Sequence, residues 1–327
     1  MKHALYLLVA MAAPVVACAQ NVQKDPPYPT KAIRIVVGFA PGGTPDIQAR
    51  MLGDKLGQRL GQSVVIDNRP GASGSIGMES VTKAPADGYT MVLAPVGPWA
   101  ASPHLYKLSY DVLTDFAPII HVATTPGVLV VHPSLPAKTV KGLIELARRK
   151  PGELVYASSG VGGFNHMSAE LFSLMTKTRM THVPYKSSGP ALTDLIGGHI
   201  QLSFASAIPT VPHLQSGKLR ALATTGAQRI VALPDLPTIA EAGVPGYESS
   251  TWSAIGAPAR TPRPIIDRLN REFNAILQLP DIQQKQLAAG SISTGGTPEQ
   301  FHEILKSELA KLGKLIKEAG IKADAGG

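Results

Sequence analysis

Along most of the chain, short apolar runs alternate with stretches whose apolar residues recur at helical spacing. Residues 33–39 form an apolar run of strand length, and 46–60 carries the helical period. A strand over 64–66, a helix over 76–83 and a strand over 91–93 follow. Alternation of this kind implies right-handed crossovers and a mainly parallel sheet. A second series opens with a strand over 128–131 and a helix over 140–150. It continues as strand 154–157, helix 167–175, strand 181–183, helix 191–196, then strands over 200–204 and 219–224. After a strand-like run at 252–257 only helical patterns remain, over 264–277, 281–288 and 298–319. The last begins at Thr297-Pro298-Glu299, a capping threonine before proline at the first helical position.

Two α/β series and a helical tail predict two α/β lobes. If the chain leaves the first lobe near Thr124 and returns near Ser250, lobe 1 takes 26–124 and 249–327, and lobe 2 takes 125–248. Two crossings make a two-stranded hinge, suited to closing around a ligand.

The N-terminus changes the picture most. Lys2 and His3 precede an apolar stretch, 4–17, too short for a permanent span but of signal-peptide length, so 1–19 reads as an export signal. Ala17-Cys18-Ala19 is a small-x-small cleavage site, while Val15-Val16-Ala17-Cys18 resembles a lipobox that would leave a lipid anchor on Cys18. Valine is a weak first lipobox residue, which favours simple cleavage and a periplasmic protein. Cys18 is the only cysteine, so a chain cleaved after Ala19 has neither disulfides nor thiolate metal ligands.

The formal charge is +8, from 31 Lys and Arg against 23 Asp and Glu. The densest basic cluster, Arg148-Arg149-Lys150, ends a predicted helix and complements its dipole. Charge this dispersed, behind an export signal, argues against nucleic acid and is compatible with an anionic ligand.

Two glycine-rich segments join a strand to a helix. In Gly38-Phe39-Ala40-Pro41-Gly42-Gly43-Thr44-Pro45-Asp46 the turn brings backbone N–H groups and a helix N-terminus together, a ready anion site. The alternative is a plain strand–helix turn capped by Thr44. It lacks the Walker lysine and is not G-x-G-x-x-G. Ser158-Ser159-Gly160-Val161-Gly162-Gly163-Phe164-Asn165-His166 occupies the same place in the second series. Ligands of open α/β sheets bind beyond the carboxyl ends of strands, so the two loops could grip one molecule from opposite lobes. Catalytic signals are poor by comparison. Ser158 and Ser159 lie near His166, but G-x-S-x-G is missing and no acid partner can be named, so packing or ligand contact outweighs a general-base role for His166. The remaining histidines show no zinc spacing.

Several segments occur in a familiar order: Tyr28-Pro29, Pro41-Gly42-Gly43-x-x-Asp46, Asp67-Asn68-Arg69-Pro70-Gly71-Ala72, Asp87-Gly88-Tyr89 and Val183-Pro184-Tyr185-Lys186. Gly217-Lys218-Leu219-Arg220-Ala221, Leu233-Pro234-Asp235-Leu236-Pro237-Thr238 and Gly296-Thr297-Pro298-Glu299 continue it. The chain resembles the Bug family, periplasmic receptors of tripartite tricarboxylate transporters, over essentially its whole mature length. The resemblance implies a type II periplasmic-binding-protein fold, a monomer that closes on a small carboxylate and delivers it to membrane permease subunits, with no catalysis, cofactor or metal. It assigns the first loop, at Gly42, Gly43, Thr44 and Asp46, and the second, at Ser158, Ser159, Gly160 and His166, to the ligand; Phe39 and Phe164, in the same two loops, are further candidate contacts.

Two departures bear on specificity. Ala94-Pro95-Val96-Gly97-Pro98-Trp99 stands where the family often has a polar Gly-Thr-x-Gly-Thr-His, and Ala205-Ser206 where it often has an acid or amide. Pro95 and Ala205 would leave a more apolar wall, suiting an aromatic or otherwise apolar carboxylate, with Trp99 or Phe164 stacking on it; the alternative is that Trp99 packs in the lobe core. A periplasmic sensor for a membrane signalling partner would use the same fold, and a secreted hydrolase would need a triad or metal site that the residues do not supply.

Overall fold

A computed structural model describes residues 28–323. The export signal, Cys18 and the start of the predicted first lobe lie outside them. Strands β1 (Ile33–Val37), β2 (Val64–Asn68) and β3 (Thr90–Pro95) are parallel, with β1 between the other two. Helices α1 (Thr44–Leu60) and α2 (Ser75–Thr82) make the crossovers. A π-helical turn over Gly97–Ala101 and the short α3 (Ser102–Leu105) lead into β4 (Phe116–Val131). The chain then winds through α4 (Val140–Arg149), β5 (Val155–Ser158), α5 (Phe164–Thr176), β6 (Thr181–Pro184) and α6 (Ser188–Ile196). There follow β7 (Leu202–Ser206), α7 (Ala207–Gln215), β8 (Arg220–Thr224) and β9 (Ser250–Pro258). Helix α8 (Arg263–Leu277), α9 (Pro280–Ala288), β10 (Ile292–Ser293) and α10 (Pro298–Ala319) complete it.

The long strand β4 makes one continuous sheet of two halves. Its first part pairs antiparallel with β9, from Phe116↔Pro258 to Pro126↔Ser250, and β9 in turn pairs with β3. Its last part, from Gly127 on, pairs with β7 and β8, and β7 with β5. Alternation of side chains then gives each half two cores. Ile33, Ile35 and Val37 face α1 and α8, while Val36 faces the cluster around Trp99 and Phe301. Leu129 and Val131 pack with Phe172 and Tyr247, while Val128 and Val130 pack with Leu192 and Val211. The result is two α/β lobes joined by two crossing segments.

Those crossings are knitted by one side chain. Thr225 is fully buried; its hydroxyl donates to the Ser249 carbonyl at 2.6 Å and accepts from the Gly127 N–H at 2.8 Å. Its backbone N–H donates to the Gly127 carbonyl and its carbonyl accepts from the Ser249 N–H, at 2.9 and 2.8 Å.

Local signals explain most boundaries. Helix α1 has Pro45 in its first turn, Arg59 in its last and Gly61 in the left-handed conformation just after it. Helix α10 starts with the predicted Thr297 cap, completed by Gln300 as a capping box. Two elements differ from the sequence reading. Strand β4 is sixteen residues long, not the four of 128–131. Pro118 and Pro126 hide its first part, and the ladder absorbs the irregularity through register shifts beside Pro118 and His121. Helix α7 carried no signal because of its prolines: Pro209 falls in the first turn, where an N–H has no helical partner, and Pro212 costs one interior bond.

Candidate functional site

Between the lobes lies a cavity that opens to solvent. Four helix N-termini reach it: Thr44 and Pro45 of α1, Gly163, Phe164 and Asn165 of α5, Ser187 and Ser188 of α6, and Ser206 before α7. The crossing strands supply Thr125, Thr251, Trp252 and Ser253, and the end of β3 supplies Pro95, Gly97 and Pro98. Phe39 completes the apolar part of the wall. No charged side chain lines it; the polar ones are hydroxyls, the Asn165 amide and Trp252 with its indole N–H. Orphan N–H groups and aligned dipoles favour an anion by about 0.3–1 kcal/mol per terminus, so four together make a meaningful preference without a cation. Hydrogen bonds fix the direction of several hydroxyls. Thr44 Oγ1 donates across the cleft to Ser206 Oγ at 2.8 Å, leaving the Ser206 proton free to donate onward. Ser159 Oγ donates to Asn165 Oδ1 at 3.1 Å, and Asn165 Nδ2 is anchored on the Phe204 carbonyl at 2.8 Å. Ser253 Oγ donates to the buried Gln48.

The two glycine loops are built alike. Gly42 has φ 82° and Gly162 φ 77°, and Gly43 and Gly163 then take extended backbone as the helix caps. In each, the first glycine N–H is clasped by the side chain four residues on: Gly42 by Asp46 Oδ2 at 3.0 Å, Gly162 by His166 Nδ1 at 3.2 Å. Asp46 also accepts from Asn68 at 3.0 Å and pairs with Arg50 at 2.9 Å. Burial opposes its charge, but Arg50, the Gly42 N–H and Asn68 outweigh burial and hold its carboxyl below the ordinary value. His166 is pushed down to about 3 by burial and by neighbouring His182, so at neutral pH it is an uncharged acceptor.

This geometry sorts the residues expected from sequence. Phe39, Thr44, Pro95, Ser159 and Phe164 line the cavity. Gly42 and Gly43 shape the first loop, and Gly43 abuts Ser187 and Ser188 of the other lobe. Asp46 and His166 are turned back onto their own loops. Gly160 lines a second chamber at the cleft mouth. Ser158 is fully buried, bonded to His182 at 2.5 Å and to the Gly160 N–H at 3.0 Å; the pair has no access to the cavity. Ala205 packs into the lobe 2 core, and its neighbour Ser206 faces the ligand space instead. Trp99 is a correction. It is 1 % exposed, edge-on to Phe116 at 5.0 Å and Phe301 at 5.4 Å, in the core of lobe 1. Gly97 and Pro98 present the start of the turn to the cavity, and the indole points away from it. The tryptophan at the cavity is Trp252. Sequence offered no signal for it, or for Thr125, Thr251 and Ser253, because only the crossing of β4 and β9 brings them there. Ser187 had a weak signal, as a serine before a helix.

Burial of neutral histidines predicts an acid-side loss of stability. His121 is also lowered, to about 4, by burial, against an ordinary value of 6.5. Both are neutral when folded, whereas the unfolded chain protonates them below about 6.5. Their contribution is therefore complete above that pH and declines as pH falls toward 4 and 3. Between pH 7 and 5 the loss should reach at most about 4 kcal/mol. Urea midpoints at the two pH values would measure it, with His166→Gln giving a shallower decline; an unchanged decline in that variant would contradict the buried neutral state.

Comparison with known proteins places this architecture. Residues 48–321 match the model of the tripartite tricarboxylate transporter family receptor. The chain belongs to that family. It is 37 % identical to Protein BugT of Bordetella pertussis over 297 residues, 90 % of this chain and 91 % of BugT. R. palustris Rpa4515, solved with adipate, superposes with a TM-score of 0.88 at 42 % identity, covering 91 % of this chain and all of the other. MatC (Rpa3494) of Rhodopseudomonas palustris, with bound malate, gives 0.85 at 28 %, covering 88 % of this chain and all of MatC. As a member of this receptor family the chain is a solute-binding protein with the two-lobed binding-protein fold, and its cleft is the place to look for the solute. Among the described residues no group of side chains could hold a metal ion, and no helix is long and apolar enough to cross a membrane.

Proposed function

We propose that this receptor is exported to the periplasm, captures a small carboxylate with an apolar body by lobe closure, and delivers it unchanged to the permease subunits of a tripartite tricarboxylate transporter. Among the described residues the moving bodies are 28–124 with 249–323, and 125–248, working as a monomer. The observation that carries this reading is the interlobe cavity, ringed by four helix N-termini and free of charged side chains. Such a wall offers several N–H and O–H donors to a carboxylate, while Phe39, Phe164 and Trp252 offer apolar faces to the rest of the ligand. Adipate with Rpa4515 and malate with MatC support the carboxylate class. The ligand-contacting set we propose is Phe39, Thr44, Pro95, Ser159, Phe164, Asn165, Ser187, Ser206 and Trp252. Gly42, Gly43, Asp46, Gly160 and His166 shape the loops around it.

Thermal unfolding of the purified protein in the presence of adipate, malate, hexanoate and benzoate tests the reading. A ligand at a hundred times its dissociation constant adds about 2.7 kcal/mol of stability. At least one of these acids should raise the melting temperature and be recovered intact afterwards. Silence across the panel would overturn the carboxylate assignment, and consumption of the ligand would overturn delivery without chemistry.

A further inference from the structure

The Arg148-Arg149-Lys150 cluster at the end of α4 acquires neighbours in the tertiary structure. Arg148 Nη2 donates to the Thr176 carbonyl at the end of α5 at 3.0 Å, and the Gly152 N–H donates to the Arg179 carbonyl at 3.0 Å. The ends of α4 and α5 therefore lie together, and Lys177 and Arg179 join the cluster. Residues 148–153 and 171–181 carry five Lys and Arg against one acid, Glu153, a surplus of four where the whole chain has eight. All five cations are exposed. Glu153 is taken by Lys150 at 2.9 Å, while Arg149, Lys177 and Arg179 pair with no acid among the described residues. A helix dipole accounts for cations at a helix end. It does not account for Leu174 and Met175, which lie in the last turn of α5 and are 47 % and 37 % exposed. Helix α5 begins at the solute cavity, and its thirteen residues set the far end about 20 Å away.

We propose that this face of lobe 2 rests on a membrane surface, with its cations against anionic phospholipid headgroups and Leu174 and Met175 entering the headgroup layer. Lys and Arg around exposed apolar side chains is the pattern of an interfacial membrane contact. The stems of Lys and Arg cover apolar surface while their charged heads stay wet, so both kinds of side chain are satisfied at one depth. A lipid surface asks only for charge and an apolar tip, and this face supplies both. Each cation near an anionic bilayer strengthens binding about fivefold, so the three unpaired ones supply about a hundredfold. Such a contact is reversible, and it holds the receptor at a membrane while leaving the cleft untouched. It is independent of which solute the cleft takes.

Co-sedimentation of the purified receptor, without added solute, tests the contact on vesicles of pure phosphatidylcholine and of phosphatidylcholine mixed with phosphatidylglycerol in equal parts. Wild type should bind the mixed vesicles and not the neutral ones, and added salt should weaken the binding. The triple variant Arg149→Gln, Lys177→Gln and Arg179→Gln should lose about a hundredfold in affinity. A second triple variant, Lys311→Gln, Lys314→Gln and Lys317→Gln, removes the same charge from exposed positions of α10 and should bind nearly as wild type does. Leu174→Ser with Met175→Ser should weaken binding and leave its salt dependence unchanged. Equal losses in the two triple variants would reduce the effect to net charge and overturn the assigned face, as would full binding by the first. An unweakened serine variant would overturn the entry of the apolar pair. Wild type that ignores the mixed vesicles, or binds the neutral ones equally well, would overturn the contact itself.

Discussion

Gly43→Ala is expected to weaken ligand binding about a hundredfold while leaving the melting temperature of the free protein almost unchanged. Gly43 has φ −84° and ψ 167°, a conformation alanine adopts freely, so the substitution introduces no backbone strain in its own lobe. The obstacle lies across the cleft. A Cβ at this position would come within 2.5 Å of Ser187 Oγ and 3.1 Å of Ser188 Oγ. Ser187 has little freedom to retreat, being 1 % exposed and the cap of α6. If the lobes close on the ligand as proposed, the clash exists only in the closed state and raises the apparent dissociation constant by lowering the closed fraction. Titration with whichever acid gives the largest thermal shift would measure it. Gly61→Ala is the contrasting control: nothing lies within 4 Å of its added Cβ, but its φ of 67° disfavours alanine. That variant should lose stability and keep its affinity. If Gly43→Ala bound like wild type, the two loops would not face each other in the liganded state.

Thr225→Val should lower the stability of the protein by about 2–4 kcal/mol, although valine has nearly the same shape. The hydroxyl is the sole reason. It satisfies the Gly127 N–H and the Ser249 carbonyl at once, in a fully buried position between the two crossing segments. Removing it strands a buried donor, at about 1–3 kcal/mol, and a half-buried acceptor that costs less because water can reach it. Urea unfolding of the free protein would show the change, and Thr225→Ser should recover most of it. A valine variant as stable as wild type would mean that the crossing segments hold together without this side chain.

Much of the fold was legible because its signals are local. The helix over 298–319 was bounded correctly, its start marked by the capping Thr297 before Pro298. The parallel strands β1 and β3 stood out as apolar runs because both faces of their part of the sheet are buried, while β2, at the edge, showed only its short apolar run. The first half of β4 did not, since Pro118 and Pro126 break the pattern and its pairing depends on a strand far along the chain. Helix α7 stayed hidden because its prolines argue against it locally while its packing on lobe 2 outweighs them.

The site divides the same way. The sequence by itself determined the two glycine loops, since a left-handed glycine followed by a helix cap is a backbone requirement written into Gly42-Gly43 and Gly162-Gly163. It also determined the helices whose N-termini those loops expose, and the family to which the chain belongs. Only the tertiary structure decided which side chains face the ligand space. Trp99, just after β3, went wholly to the lobe 1 core, while Trp252, within β9, packs on that core and also reaches the cavity wall. Asp46 and His166 were drawn back to clasp their own loops, and Ser206 rather than Ala205 came forward. The physical reason is that a cleft is formed between lobes by strands that cross once, so its lining depends on contacts distant in sequence and on the direction of each side chain. Neither is encoded in spacing along the chain.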